Sequence, residues 1–301
     1  MTGYQINTTL PLKEDVKAIL ASAVTQLNLP EAFRDDPHEA IHNTRKTIKR
    51  IRALLKMIRE GTGYSFYFRE NRFFRDLSRS ISRARDIYVL QETLELVVPE
   101  PGLPAHQAAT LLSRLIRDHL DEEMEVLSRP GGALETIPAE LVDALNRMDA
   151  TLQLDNSFTS ITEGLRRTYR KGRRLLGPLQ RSPGMLNTHE FRKSSRYLQF
   201  QMELLVPLYP GMMTGYAASI DAMTEKLGHI RDLQRLQLLL LESGNEPASD
   251  ASKEAMNRSI HSMTGEAYRE VFALAPLIYA EKPKHYTTRI QRYWKANTHT
   301  N

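Results

Sequence analysis

The chain has 301 residues, 41% hydrophobic and 26% charged, with 41 Lys and Arg against 36 Asp and Glu and a net charge of +5. That composition belongs to a globular chain with ample core and excludes a disordered or fibrous one. The absence of cysteine excludes disulfides, thiolate metal sites and cysteine nucleophiles.

The first residues, MTGYQINTTLPLKEDV, lack the basic-then-apolar order of a signal peptide, and no apolar run reaches membrane-spanning length. A cytoplasmic protein is therefore expected. Leu12, Val16, Ile19, Leu20, Ala23 and Leu27 repeat at helical spacing, and Pro30 closes that helix. Asp35-Asp36-Pro37 then starts the next, with proline in the first turn.

That second helix, Ile41 to Arg59, organises the rest. It carries seven basic residues (Arg45, Lys46, Lys49, Arg50, Arg52, Lys56 and Arg59) and no acid. At about 100° per residue, His42, Arg45, Lys46, Lys49, Arg52 and Lys56 share one side, opposite Ile41, Ile48, Ile51, Leu55 and Ile58. Like charges stand four apart at Arg45–Lys49, Lys46–Arg50 and Arg52–Lys56. Each such pair costs roughly 0.2–0.5 kcal/mol where an ordinary exposed helix gains that much from opposite charges. A face that repels itself points to an anion lying on it.

Gly61-Thr62-Gly63 stops this helix. One long helix is predicted from about Ser65 to Val98, closed by Pro99, Pro101 and Pro104. The aromatics at its start (Tyr64, Phe66, Tyr67, Phe68, Phe73, Phe74) read as core, and Arg72, Arg75, Arg79 and Arg83 form a second basic stripe. A helix from about Ala105 to Leu127 faces outward with Asp121, Glu122, Glu123 and Glu125. Arg129-Pro130-Gly131-Gly132 and the Ile137-Pro138 break mark a boundary between an N-terminal part, 1–150, and a C-terminal part, 151–301. Glu140 to Leu152 reads as a connecting helix.

Phe158 to Leu176 carries Arg166, Arg167, Arg170, Lys171, Arg173 and Arg174 with no acid after Glu163, and Gly177-Pro178 ends it. Leu186 to Leu205 follows, with Phe191, Ser195, Leu198, Met202 and Leu205 as its inward stripe. A helix runs from Gly211 to about Leu241, Ser243-Gly244-Asn245 breaks the chain, and a last helix spans about Ala248 to Ala275. The tail from Lys282, with Arg289, Arg292 and Lys295, reads as basic and loose. No stretch alternates apolar and polar residues as a strand does, so the fold class is all-α.

The basic pattern returns. His189-x-x-Arg192-Lys193-x-x-Arg196 repeats His42-x-x-Arg45-Lys46-x-x-Lys49 at an offset of 147 (His42 to His189), and Arg231-Asp232 repeats Arg85-Asp86 at 146 (Arg85 to Arg231). Two matches at nearly one offset point to an internal duplication. Segregated positive charge suggests a polyanionic partner such as nucleic acid, a phosphate polymer or an anionic membrane.

No P-loop, GxGxxG, HExxH or GxSxG motif is present. Neither His42 nor His189 has a carboxylate or second histidine at ligand spacing, so no metal is expected on either. Asp86 and Asp232, each following an arginine, read as structural ion pairs rather than catalytic groups. Metal-assisted phosphoryl chemistry needs several acids near the basic helices, and none is apparent.

The His42 motif with Arg50 and Arg52, its second copy at His189, the Arg-Asp pairs and the stretch GLRRTYRKGRR from Gly164 to Arg174 resemble the CHAD family, the conserved histidine α-helical domain. The likeness covers roughly residues 12 to 275. It implies two four-helix bundles related by a pseudo-twofold axis, with basic faces lining a central groove or pore. It also implies binding of inorganic polyphosphate without catalysis. No cofactor, metal or membrane partner is expected, nucleic acid is the less favoured partner, and a scaffold docking on polyphosphate-rich granules or on other proteins is compatible with this reading. Some relatives carry a triphosphatase domain marked by ExExK; none occurs here, which implies a stand-alone member. In the second copy Leu198 and Gln199 stand for Ile51 and Arg52, and Ser82 stands where that copy has Gly228.

The candidate contacts are His42, Arg45, Lys46, Lys49, Arg52, Lys56, Arg166, Arg170, Arg173, Arg174, His189, Arg192, Lys193 and Arg196, followed by Arg79 and Lys226. The two histidines would be neutral donors that gain a proton when a polyanion raises their pKa. Two other readings stand beside this one. A nucleic-acid-binding helical protein would need stacking aromatics, for which the basic helices offer Tyr169 and Tyr197. An enzyme acting on phosphorylated substrates would use Asp86 or Asp232.

Overall fold

The computed structural model describes residues 4–27, 29–98, 104–243 and 248–298; Pro99, Pro101, Gly244 and Asn245, read above as breaks, lie outside them. Among the described residues there are twelve α-helices, one 3-10 turn and no strand. Helix α1 (Leu12–Thr25) buries Leu12, Val16, Ile19, Leu20 and Ala23, the stripe read from spacing. A short α2 (Leu29–Asp35), unforeseen in the sequence, contains the Pro30 expected to close the first helix. It leads into the basic helix α3 (Pro37–Thr62). The Asp36 carboxylate accepts bonds from the His38 and Glu39 amides at 3.1 and 3.0 Å and caps α3, with Pro37 in its first turn.

α3 is the central element. Ile41, Ile48, Ile51, Leu55 and Ile58 are at most 1% exposed, but so are Ala53, Leu54 and Met57. Its second half is therefore enclosed nearly all round, and its cations face cavities between helices rather than one open flank.

The stretch expected as one helix divides into α4 (Tyr64–Ser80) and α5 (Ser82–Val97) at Ile81, whose φ of −113° and ψ of 11° turn its side chain fully into the core. Next come α6 (His106–Ser128) and α7 (Ala133–Thr151). Pro138 lies inside α7 rather than breaking it, and α8 (Thr159–Arg181) continues through Gly177-Pro178. Both prolines sit beside fully buried residues, Ile137 and Leu141 in one case and Leu179 in the other. Packing outweighs the one backbone hydrogen bond each proline forfeits.

α9 (Met185–Leu205) buries Phe191, Ser195, Leu198, Met202 and Leu205, all as read. The turn Val206–Leu208, α10 (Pro210–Glu242) and α11 (Asp250–Ile278) follow. The tail expected to be loose is α12 (Pro283–Thr298), anchored by fully buried Tyr286 and Ile290, with Tyr286 stacked on Tyr169 at 4.1 Å.

One hydrophobic cluster surrounds α3, α8 and α9; a second joins Ile87, Leu90, Leu112 and Ile116 of α5 and α6 to Leu233, Leu236, Met256 and Ile260 of α10 and α11. Both clusters draw residues from before and after position 150. α8 lies directly on α3 at Gly164, where a Cβ would collide with the Met57 carbonyl oxygen and stand 2.6 Å from that of Lys56. No helix among the described residues is long and apolar enough to cross a membrane.

Candidate anion-binding site

Helices α3, α5, α9 and α10 enclose a cleft of about 700 Å³. α3 supplies His42, Arg45, Lys46 and Lys49; α9 supplies Arg192 and Arg196; α5 and α10 add Arg85, His229 and Arg231. The helical repeat of α3 places its four residues on adjacent turns of one face, as the sequence spacing required.

Asp86 anchors this group. Its carboxylate meets Arg235 at 3.0 Å, Arg45 at 3.5 Å and Arg231 at 3.8 Å. Burial alone would raise its pKa, but Arg235, Arg231 and Arg45 together hold it below the usual carboxylate range. Arg231 also donates to Asp232 through Nε at 2.8 Å. Asp86 and Asp232 both stand in ion pairs, as read from the sequence, but Asp86 pairs with Arg45, Arg231 and Arg235 rather than with its neighbour Arg85, which meets Glu92 at 3.4 Å.

Among the described residues Lys46, Lys49 and Arg192 have no hydrogen-bond or ion-pair partner; Lys46 is exposed, whereas Lys49 and Arg192 are partly buried and the Arg192 Nε is buried and unsatisfied. Burial depresses the Lys49 ammonium well below the ordinary lysine value, with Arg45, Arg192, Arg196 and Arg231 adding to the effect. Burial and the neighbouring Arg231 and Arg196 pull Arg192 down to about 9. Gly228 of α10 lies beneath this guanidinium, and a Cβ there would stand 3.5 Å from Nη2, so a larger side chain would displace it. Burial and Arg85 likewise lower His42. Positive charge held there carries a cost of desolvation and mutual repulsion that opposite charge would lower.

The cleft is also polar along its length. From Arg192 and Arg196, α9 runs on to Gln199 and Glu203, while antiparallel α10 brings Asp221 and Glu225 to the same end. Arg196 donates to Thr224 at 3.2 Å and Glu203 accepts from Arg50 at 3.1 Å. The expectation that no acids accompany the basic helices is corrected: six carboxylates, Asp86, Glu92, Glu203, Asp221, Glu225 and Asp232, line the cleft. Five of them lie on α5 and α10, outside the two basic helices, and Glu203 comes about two turns past the second motif, so only the packing of α5 and α10 reveals the group. Among the described residues no three His, Asp or Glu side chains converge to hold a metal ion.

A second, smaller cleft of about 180 Å³ takes Lys56 from α3 and Lys193 from α9. The other candidates lie elsewhere. Arg52 donates to Asn71 at 3.2 Å, and Arg166 and Arg170 pair with Glu163 at 2.8 and 3.8 Å. Arg173 donates to the Tyr279 carbonyl at 3.2 Å, Lys226 pairs with Glu270 at 2.8 Å, and Arg79 pairs with Asp76 at 3.8 Å. Arg174 and His189 are exposed. The sequence reading missed Arg85, His229 and Arg231 as lining groups, although the repeated Arg-Asp pairs marked two of the three.

The fold and cleft define a class: an all-helical protein in which four helices gather cationic side chains around one cavity. Residues 18–241 match the CHAD domain, and the chain belongs to that family. No curated protein sequence matches it. PptA from Streptomyces chartreusis superposes with a TM-score of 0.63 at 14% identity, over 90% of this chain and 100% of that one. The CHAD domain from the plant Ricinus communis superposes with a TM-score of 0.61 at 18% identity, over 92% and 94%. At these identities the likeness shows the fold alone.

Proposed function

We propose that the protein binds inorganic polyphosphate in the cleft of α3, α5, α9 and α10 and performs no chemistry on it. The observation that carries this reading is the group of unpartnered cations Lys46, Lys49 and Arg192, the last two partly buried, gathered with further cations around one cavity. Polyphosphate has about one charge per unit and no bases to read. It asks for dense Lys and Arg, the arginine fork gripping two oxygens and lysine acting as a compact charge. A charge-assisted hydrogen bond contributes roughly 1.5–3 kcal/mol, so a few suffice for tight binding after ordering costs. On this reading the protein works in the cytoplasm, attached to polyphosphate granules. Nucleic acid fits less well, because Tyr169 is fully buried against Tyr286 and cannot stack a base.

Competition tests it. Polyphosphate should displace labelled polyphosphate far better than RNA or DNA at equal phosphate concentration, and Lys49→Glu/Arg192→Glu protein should lose binding. Displacement by RNA at equal strength would overturn the polyphosphate reading. Release of orthophosphate by pure protein with Mg²⁺, abolished in Asp86→Asn, would overturn its non-catalytic part.

A further inference from the structure

The cleft among α3, α4, α8 and α9 shares no lining residue with the larger one. Successive residues of α9 divide between them: Arg192 and Arg196 line the large cleft, and Lys193, Ser194 and Tyr197 the small one. Its volume of about 180 Å³ has room for about six waters, given roughly 30 Å³ each. That suits one or two phosphoryl groups and not a polymer.

We propose that this small cleft is a separate site for a compact phosphate-type oxyanion, with Lys56 supplying charge and the Ser194 hydroxyl a hydrogen bond. Ser194 is 3% exposed and its Oγ has no partner, whereas adjacent Ser195 bonds the Tyr279 hydroxyl at 2.9 Å. Buried hydroxyls are nearly always partnered, so an orphan lining a cavity signals a missing ligand. Among the described residues Lys56 donates only to the Tyr67 hydroxyl, at 3.2 Å, and lies 4.7 Å from the centre of the Tyr197 ring.

The charge balance points the same way. Five cations line the cleft (Lys56, Arg59, Arg167, Lys171, Lys193). Two carboxylates answer them: Glu60, at 2.6 Å from Arg167 and 3.9 Å from Arg59, and Glu190, at 3.4 Å from Lys171 and 3.8 Å from Lys193. The excess of three positive charges leaves Lys56 without a carboxylate. Burial, then Arg52, Lys171, Lys193 and Arg59, pull the Lys56 ammonium down to about 8. The close seat of α8 on α3 at Gly164 fixes the walls, so the site is formed before a ligand arrives.

The oxyanion has two possible sources: a free small phosphate compound, or the end of a polymer whose body lies in the large cleft. Calorimetric titration with pyrophosphate tests the site without assuming that polyphosphate binds elsewhere. Wild-type protein should bind pyrophosphate, and the affinity of one site should drop about tenfold in Ser194→Ala, which has no partner to lose and so folds normally. Lys56→Met should weaken that site at least as much, and both losses should persist in a Lys49→Met/Arg192→Met background, which removes unpaired cations of the larger cleft. Affinity should also fall as pH rises from 7 to 9, because Lys56 in the empty site loses its proton near 8. Equal pyrophosphate affinity for wild type, Ser194→Ala and Lys56→Met would overturn the proposal, even if the large cleft binds polymer. Long polyphosphate weakened by Ser194→Ala would assign the site to a chain end; polymer affinity unchanged by it, with pyrophosphate weakened, would assign it to a free anion.

Discussion

Replacing Lys49 with methionine should make the empty protein more stable while weakening its grip on the ligand. The lysine sits among Arg45, Arg192, Arg196 and Arg231 with no carboxylate of its own. Methionine keeps the length of the stem, and so its packing, and deletes the charge. Exchanging buried charged groups for apolar ones of similar volume is often neutral or stabilising by about 1–4 kcal/mol. Lys49 is half-buried, which scales the gain to about 1–3 kcal/mol. At roughly 2–4 °C per kcal/mol for chains of some 150–250 residues, Tm should rise by about 2–12 °C. Scanning calorimetry at pH 7, with and without polyphosphate, measures both effects. Wild type should start lower and gain strongly from polyphosphate; Lys49→Met should start higher and gain less. Added salt should raise the wild-type Tm more than that of the variant, since screening relieves the same repulsion. A lower Tm for ligand-free Lys49→Met would refute the reasoning, because the lysine would then be held by contacts the structure does not contain.

Asp86→Asn removes the carboxylate shared by Arg45, Arg231 and Arg235 and should destabilise by about 2–4 kcal/mol, measured by chemical denaturation. Because those arginines hold its pKa down, the contribution of Asp86 is complete above about pH 4 and disappears as pH falls through the folded value. The Tm of wild type should therefore drop more steeply below pH 4 than that of Asp86→Asn. Glu225→Gln deletes a charge from the acidic end of the cleft and should tighten polyphosphate binding by about two- to fivefold at low salt, the gain vanishing at high salt. Polyphosphate should bind more tightly at pH 6 than at pH 8, as His42, lowered by burial and Arg85 in the empty cleft, gains a proton on binding. His42→Ala should flatten that profile, whereas His189→Ala should leave it intact, since His189 is exposed and does not line the cleft.

The helices and their inward faces were legible because a helix records its burial in its own period: Ile41 to Ile58 on α3 and Phe191 to Leu205 on α9 were assigned correctly from spacing. The misread positions share a cause. Pro138, Pro178 and the basic tail all carry local signals against helix, and in each case buried neighbours from distant segments outweighed them, as Tyr286 on Tyr169 does for α12. Ile81 shows the converse: nothing local forbids a continuous helix, and the break follows from turning that side chain into the core. For the cleft, the repeated motifs identified His42 and the five cations on α3 and α9 that line it. They could not show which would be neutralised. Glu163 takes Arg166 and Arg170 within their own helix, a pairing the sequence does carry, whereas Asp86 of α5 reaches across to Arg45 on α3 and to Arg231 and Arg235 on α10 and leaves Lys46, Lys49 and Arg192 alone. Charge pairing between helices is a property of packing, and one sequence does not encode it in any short window.

The most direct measurement is the salt dependence of polyphosphate affinity for wild type and for Lys49→Met/Arg192→Met. By analogy with nucleic acids, each phosphate neutralised adds roughly 0.7–0.9 to the slope of log K against log salt. If Lys49 and Arg192 each meet a phosphate, the double variant should bind more weakly with a slope smaller by about 1.4–1.8. Weaker binding with an unchanged slope would mean that the substitutions disturb the cleft without removing contacts, and that the phosphates lie on other cations.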